Sequence, residues 1–327
     1  MLHFVLRRLL LLIPTVIVIS MISFLVIQLP PGDYLTSYVI SLEAQGQFVD
    51  QELIDALRVQ YGLGQPLYVQ YGKWVWGMLH GHFGQSLQWK APVADLIWER
   101  LGLTVVLSLG SLLFVWLVAF PIGIYSAVRQ YSVGDYVFTA LSFFGLGIPD
   151  FLLALIVMWL AFSQLGISVG GLFSNEFVRA PWSWAKLVDM LKHAWMPMVV
   201  LGIGGTAGLI RIMRANLLDE LNKPYVETAR AKGLRERRLI LKYPVRVALN
   251  PFVSTLGWTL PSLVSGSVIV SVVLSLPTTG PLLLTALQAQ DMYLAGTFLL
   301  MLSILTVLGT LVSDVLLALL DPRIRVE

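Results

Sequence analysis

Charge is scarce in this sequence. Asp, Glu, Lys and Arg make up 13% of its 327 residues, and hydrophobic residues make up 57%. A typical soluble domain carries roughly 25% charged residues, so a soluble protein of this length would struggle to cover its surface. Cysteine is absent altogether, which excludes disulfide frameworks, thiolate metal sites and cysteine nucleophiles. Also absent is a Gly-x-x-x-x-Gly-Lys-Ser/Thr phosphate loop, so the chain offers no such ATP site of its own. "GIGGTAG" at 202–208 resembles one superficially but lies in an apolar run, where small residues permit close helix packing. His80 and His82 lack a clear set of further metal ligands, and their flanking glycines predict a turn. No Ser, His and Asp arrangement suggests catalysis, so neither a cofactor nor an enzymatic role is expected.

What is present is grease in long blocks. Leu9–Leu29, Leu101–Val128 and Met292–Ser313 run without a charged residue or histidine, each reaching the roughly 20 residues that cross a bilayer. Val247–Gln290 is uncharged for 44 residues, with Pro277, Gly280 and Pro281 marking its end. The composition predicts an all-α integral membrane protein, with a lipid bilayer rather than nucleic acid as its surroundings. Six spans fit, at about 9–29, 101–127, 136–166, 194–213, 251–276 and 295–319. The first opens after Arg7 and Arg8 like a signal peptide. It is too long for one and closes on "QLPPGD" without a small-x-small cleavage site, so it reads as an uncleaved span.

Basic residues orient the spans. The segments 1–8, 128–135, 211–250 and 320–327 carry 15 Lys and Arg, the opposite segments 7, although the latter are longer in total. The positive-inside rule places both termini and the 211–250 loop in the cytoplasm. Residues 31–100 form an outer insert rich in Tyr, Trp and Leu. There "DQELIDALRVQYGLG" predicts one amphipathic helix ending near Gly62, and the stretch from Pro66 to about Leu79 a second. Seven of the ten tryptophans, among them Trp74, Trp76, Trp182 and Trp184, sit in or beside outer segments. They read as an interfacial belt or as a docking surface for a partner.

The loop "KPYVETARAKGLRERRLILKYPVRVALNP" is unlike the rest. Pro224 suits a first helical turn. Tyr225, Ala229 and Gly233 recur at spacing four, giving a face that narrows to nearly bare backbone, and Glu227 can reach Arg230 or Ala231 on the neighbouring face. Gly233 then stops the helix, and a second, more basic helix leads back to the membrane. A loop that merely fixes topology or attracts anionic lipid would need only charge. Asp150, in "GLGIPDFLLALIVMW", is the one carboxylate deep in a span. It reads as a cap or kink residue after Pro149, or as a group lining a pathway. Asp314 reads as an interfacial charge at the end of the last span.

"ETARAKG" resembles the Glu-Ala-Ala-x-x-x-Gly loop of binding-protein-dependent ABC importer permeases, with Thr228 in place of the first Ala. "GLGQPLYVQYGKWVWGMLHGHFGQSL", "ERLGLTVVLSLGSLLFVWLVAFPIGIYSAVR" and "LLDPRIR" narrow the resemblance to the oligopeptide/dipeptide/nickel permease family, over about residues 1 to 325. The sequence departs from that family's pattern at Tyr243-Pro244-Val245-Arg246, where Ile-x-Leu-Pro is general, and at His82, where Asp is frequent. The resemblance implies the type I ABC importer permease fold: an N-terminal span over 1–30, the extracytoplasmic helical insert over 31–100, a five-helix core over 101–320 containing the coupling loop 214–250, and a cytoplasmic tail over 321–327.

In function, the resemblance implies half of a translocation pore in a bacterial or archaeal cytoplasmic membrane, carrying peptides, nickel complexes or sugar-linked compounds. Its implied partners are a second homologous permease, two cytoplasmic ATPase subunits and an extracytoplasmic substrate-binding protein. Glu227, Thr228, Ala229, Arg230, Lys232 and Gly233 are then the ATPase-coupling residues, with Ala229 and Gly233 allowing close approach and Glu227 as a polar anchor. The alternative is a secondary transporter or channel using Asp150 in its pathway.

Overall fold

Long apolar blocks become long helices. A computed structural model describes residues 2–28, 35–36, 39, 51–61, 64–166, 170–250, 252 and 268–320. No strand occurs among them, and a single antiparallel bridge joins Gln85 to Pro92. The helices are α1 (Leu2–Gln28), α2 (Gln51–Tyr61), α3 (Leu67–Leu79), α4 (Val93–Val128), α5 (Val133–Gly147), α6 (Asp150–Leu165), α7 (Trp184–Leu221), α8 (Pro224–Ala231), α9 (Glu236–Lys242), α10 (Pro244–Ala248), α11 (Val268–Val273), α12 (Thr279–Gln288) and α13 (Met292–Leu320).

Among the described residues three helices, within α4, α7 and α13, are long and apolar enough to cross a membrane. A fourth crossing is available if α5 and α6 count together, and α1 contributes a shorter apolar helix at Ile13–Gln28. The stretch 136–166, expected as one span, is not one straight helix. It breaks at Ile148–Pro149 and bends by 105°. Proline clashes with the preceding turn and lacks the N–H that would continue the ladder, so the chain restarts as a new helix. Most of the expected span 251–276, the Gly62 helix stop, "QLPPGD" and the 321–327 tail lie outside the described residues.

The described chain divides into two units, 1–5 with 104–277 and 308–327, and 6–103 with 278–307. In the second, α3 is held to α1 by Ser20–Tyr71 at 2.8 Å and by the Phe24–Trp74 ring contact, and the turn that follows α3 is fixed by a carboxylate. Asp291, fully buried, accepts from the Ser86 hydroxyl at 2.6 Å, the Gln88 N–H at 3.2 Å and the Leu294 N–H at 3.2 Å, capping the start of α13. Gly81 and Gly84 turn the chain with φ of 76° and 81°, which glycine alone adopts cheaply. A Cβ on Gly84 would lie 2.5 Å from the Tyr293 ring. The Gly-x-x-Gly-x-Ser spacing therefore turns the insert and delivers Ser86 to Asp291. His80 Nδ1 lies 2.8 Å from the Trp76 carbonyl, and Trp74 is buried while Trp76 is exposed.

The first unit is organised around α7. Ser183 caps it, its hydroxyl accepting from the Lys186 N–H at 3.2 Å, and 38 residues extend it to about 57 Å. Glycines seat its neighbours: a Cβ at Gly202 of α7 would lie 2.6 Å from the Phe114 ring, and Gly145 of α5 admits Ala207 and Ile203 of α7. Small residues bring backbones together where lipid supplies no hydrophobic drive.

Candidate coupling loop and the groups behind it

Helix α8 begins at Pro224, as its sequence predicts, and its inner face is apolar. Val226 is fully buried with Leu239 and Ile240 of α9 and Val245 and Ala248 of α10, against Met213 and Leu217 of α7, Ala127 of α4 and Phe252. At roughly 1.5–3 kcal/mol for each large aliphatic side chain removed from water, this cluster fixes the loop to the end of α7. Glu220, itself buried, adds a polar tether. It accepts from the Tyr225 hydroxyl at 2.6 Å and from the Lys223 ammonium. Burial and then the Glu220 carboxylate push the Tyr225 phenol well above its ordinary value, so it remains a donor.

The outer face is polar and small. Glu227, Thr228, Arg230, Ala231, Lys232 and Gly233 are exposed. Thr228 turns its hydroxyl back to the Pro224 carbonyl at 2.9 Å. The Arg230 guanidinium donates to Glu236 through Nε at 3.1 Å and Nη2 at 2.6 Å, closing the turn between α8 and α9. This contact holds the Glu236 carboxyl below its usual range. Glu227 was expected to reach Arg230; Arg230 hydrogen-bonds Glu236, and Glu227 acts on it through charge without a hydrogen bond or ion pair among the described residues. Gly233 has φ of 75° and open space where a Cβ would stand. The expected Tyr225–Ala229–Gly233 face is divided: Tyr225 reaches back to Glu220, Ala229 packs partly against the buried cluster, and Gly233 stays open. Pro244, fully helical at the first position of α10, splits the basic arm into two short helices.

Two contacts carry α7 from this loop toward the bend. Arg214 donates through Nε and Nη2, both at 2.9 Å, to Asp135 in the first turn of α5, where the Tyr131 N–H also reaches the carboxylate at 3.0 Å. Asp135 is 2% exposed, so its charge is held by this bidentate fork rather than by water. Farther along, the Asp150 carboxylate lies over Gly204, where a Cβ would come within 2.9 Å of Oδ1. Asp150 forms no hydrogen bond or ion pair among the described residues. The break it follows is real, but a side-chain cap is not seen. Asp135, Arg214, Glu220 and Glu236 were not singled out from the sequence. Ser132-x-x-Asp135, with the Ser132 hydroxyl accepting from the Asp135 N–H at 3.2 Å, is the local signal for the first.

The sequence profile described as "Binding-protein-dependent transport system inner membrane component" matches residues 119–326, and that of its N-terminal region matches residues 1–108. The chain belongs to this family. The permease is 36% identical to the oligopeptide transport system permease protein AppB of Bacillus subtilis (strain 168), over 98% of this chain and 99% of that one. It is 29% identical to the dipeptide transport system permease protein DppB of Escherichia coli (strain K12), over 99% of both. It is 32% identical to the glutathione transport system permease protein GsiC of Salmonella choleraesuis (strain SC-B67), again over 99% of both. The permease is thus a multi-pass membrane protein of the peptide group of ABC importers, and its relatives are transport subunits.

Proposed function

We propose that this permease forms half of the translocation pathway of an ATP-driven, binding-protein-dependent importer for di- or oligopeptides, and that α8 is where separate ATPase subunits act on it. One observation carries the reading. Helix α8 is fixed by its apolar face to the end of α7, while its small, polar face stands free. Closure of an ATPase dimer on that face displaces a rigid element, and α7 passes the displacement through Arg214–Asp135 to α5 and through Gly204 to Asp150. Glu227, Thr228, Arg230, Lys232 and Gly233 form the contact surface, with Ala229 at its inner edge. Relatives named for oligopeptide, dipeptide and glutathione transport support a peptide cargo.

The proposal includes six spans with both termini cytoplasmic, the domain limits 1–30, 31–100, 101–320 and 321–327, a second homologous permease, two ATPases and an extracytoplasmic binding protein. Asp150, with no hydrogen-bond or ion-pair partner among the described residues and following a broken helix, lines the pathway and meets cationic groups of cargo. Gly233→Leu forces a β-carbon into a left-handed backbone and blocks close approach. It should abolish peptide uptake while membrane insertion persists, and full uptake by that variant would sink the coupling assignment. Mild-detergent purification with mass spectrometry should bring down ATPase subunits and a second permease; recovery of the chain alone, under conditions that preserve a known importer, counts against it.

A further inference from the structure

Between α5 and α7, beside the Arg214–Asp135 fork, lies an open groove of about 180 Å³. Thr139, Arg211 and Arg214 line it together with Phe143, Leu146 and Ile210. Residues 211 and 214 lie C-terminal in α7 to Ala207 and Ile210, and Thr139 precedes Phe143 and Leu146 in α5, so basic and polar groups gather at one end of both helices and apolar ones at the other. The Arg214 charge is neutralised by Asp135. Arg211 is exposed and makes no hydrogen bond or ion pair among the described residues, leaving the groove one uncompensated positive charge.

We infer that this groove binds an anionic phospholipid of the cytoplasmic leaflet, its phosphate on Arg211 and the upper part of one acyl chain along Phe143, Leu146 and Ile210. An amphiphile with a negative head matches a groove with one free cation and a greasy floor. In the proposed orientation the end of the 194–213 span puts Arg211 at headgroup depth, where basic groups between helices attract anionic lipid. The site therefore rests on that orientation. An occupied groove wedges lipid beside the Arg214–Asp135 fork, so lipid charge bears on the α5–α7 contact.

The importer complex, exchanged into phosphatidylglycerol or phosphatidylcholine of identical chains and then stripped in detergent, is examined by native mass spectrometry for retained lipid. Phosphatidylglycerol should persist and phosphatidylcholine should not. Arg211→Gln should lower phosphatidylglycerol retention about fivefold or more, the effect of one basic group near an anionic surface, and Arg211→Lys should largely preserve it. Leu146→Trp, filling the apolar end with Arg211 intact, should also lower it. Equal retention of both lipids, undiminished retention in Arg211→Gln, or displacement by millimolar inorganic phosphate would overturn the assignment. So would efficient crosslinking of Leu146→Cys to the second permease subunit in native membranes, which would give the groove a protein occupant. Detergent exposes both faces, so retention is read independently of topology. A reporter fused to the C-terminus tests the orientation separately.

Discussion

Gly204 and Gly208 sit one helical turn apart in α7, yet they face different surroundings. A Cβ on Gly204 would strike the Asp150 carboxylate, whereas one on Gly208 meets nothing within 4 Å. Alanine is favoured over glycine in a helix interior by about 1 kcal/mol. Gly208→Ala should therefore raise thermal stability in detergent slightly and leave uptake intact. Gly204→Ala should gain less stability, because the Asp150 carboxylate must turn aside, and should lower uptake by displacing that charge; equal behaviour of the two variants would deny Gly204 its role as a seat. Asp150→Asn keeps the shape and removes the charge, so it should reduce uptake of cationic peptides more than neutral ones, and unchanged uptake of both would remove Asp150 from the pathway.

Glu236 belongs to the same scale. Its carboxyl is held low by the Arg230 hydrogen bond. A depressed carboxylate contributes its stabilisation above the ordinary carboxylate pKa and loses it as pH falls through the lowered value. Amide protection factors in 225–242, with the intrinsic pH dependence of exchange divided out, should thus be steady through neutral pH and fall only at strongly acidic pH, and Glu236→Gln should be less protected at pH 7. Solvent screens this exposed pair, so the effect is small.

At the scale of elements, α7 was legible only in part. Pro224 announces a helix start through its own chemistry, and Gly233 a stop, so those boundaries can be read from neighbouring residues; the Ser183 cap was passed over, and α7 begins about ten residues before the expected span at 194. The Arg214–Asp135 fork joins groups 79 residues apart, and Ser86–Asp291 groups 205 apart. Nothing local to either residue names its partner. The 105° bend at Pro149 was legible as a break but not as an angle, because proline stops a helix without setting the direction of the next. Ala229 misled for a related reason: spacing four defines a face but does not say whether that face turns to a partner or to the protein's own core. Removing Arg214 leaves Asp135 buried and unpaired. Breaking buried pairs typically costs 3–5 kcal/mol, and since Arg214 is partly exposed, Arg214→Ala should cost about 3 kcal/mol in thermal or denaturant unfolding. A loss under about 1 kcal/mol would mean that water reaches Asp135.

On the scale of the whole molecule, the family was the most legible feature, because its motifs are spread in order along the chain. Span count was less so, since apolar surfaces facing lipid and those facing protein look alike in sequence. Asp291 matters most at this scale and was passed over: a single carboxylate between two uncharged stretches looks like an ordinary loop charge until Ser86 is found beside it. Ser86→Ala should cost about 1–3 kcal/mol, because one oxygen of a fully buried acid loses its shortest hydrogen bond. Ser86 also leaves the ribosome long before the carboxylate that receives it. At about 5–20 residues per second, the intervening chain takes on the order of 10–40 s to synthesise. Throughout that interval contacts made early, Ser20–Tyr71 and Phe24–Trp74, hold α3 to α1, while the Gly81–Ser86 turn lacks its buried acceptor and stays open to proteases and quality control until Asp291 has been made.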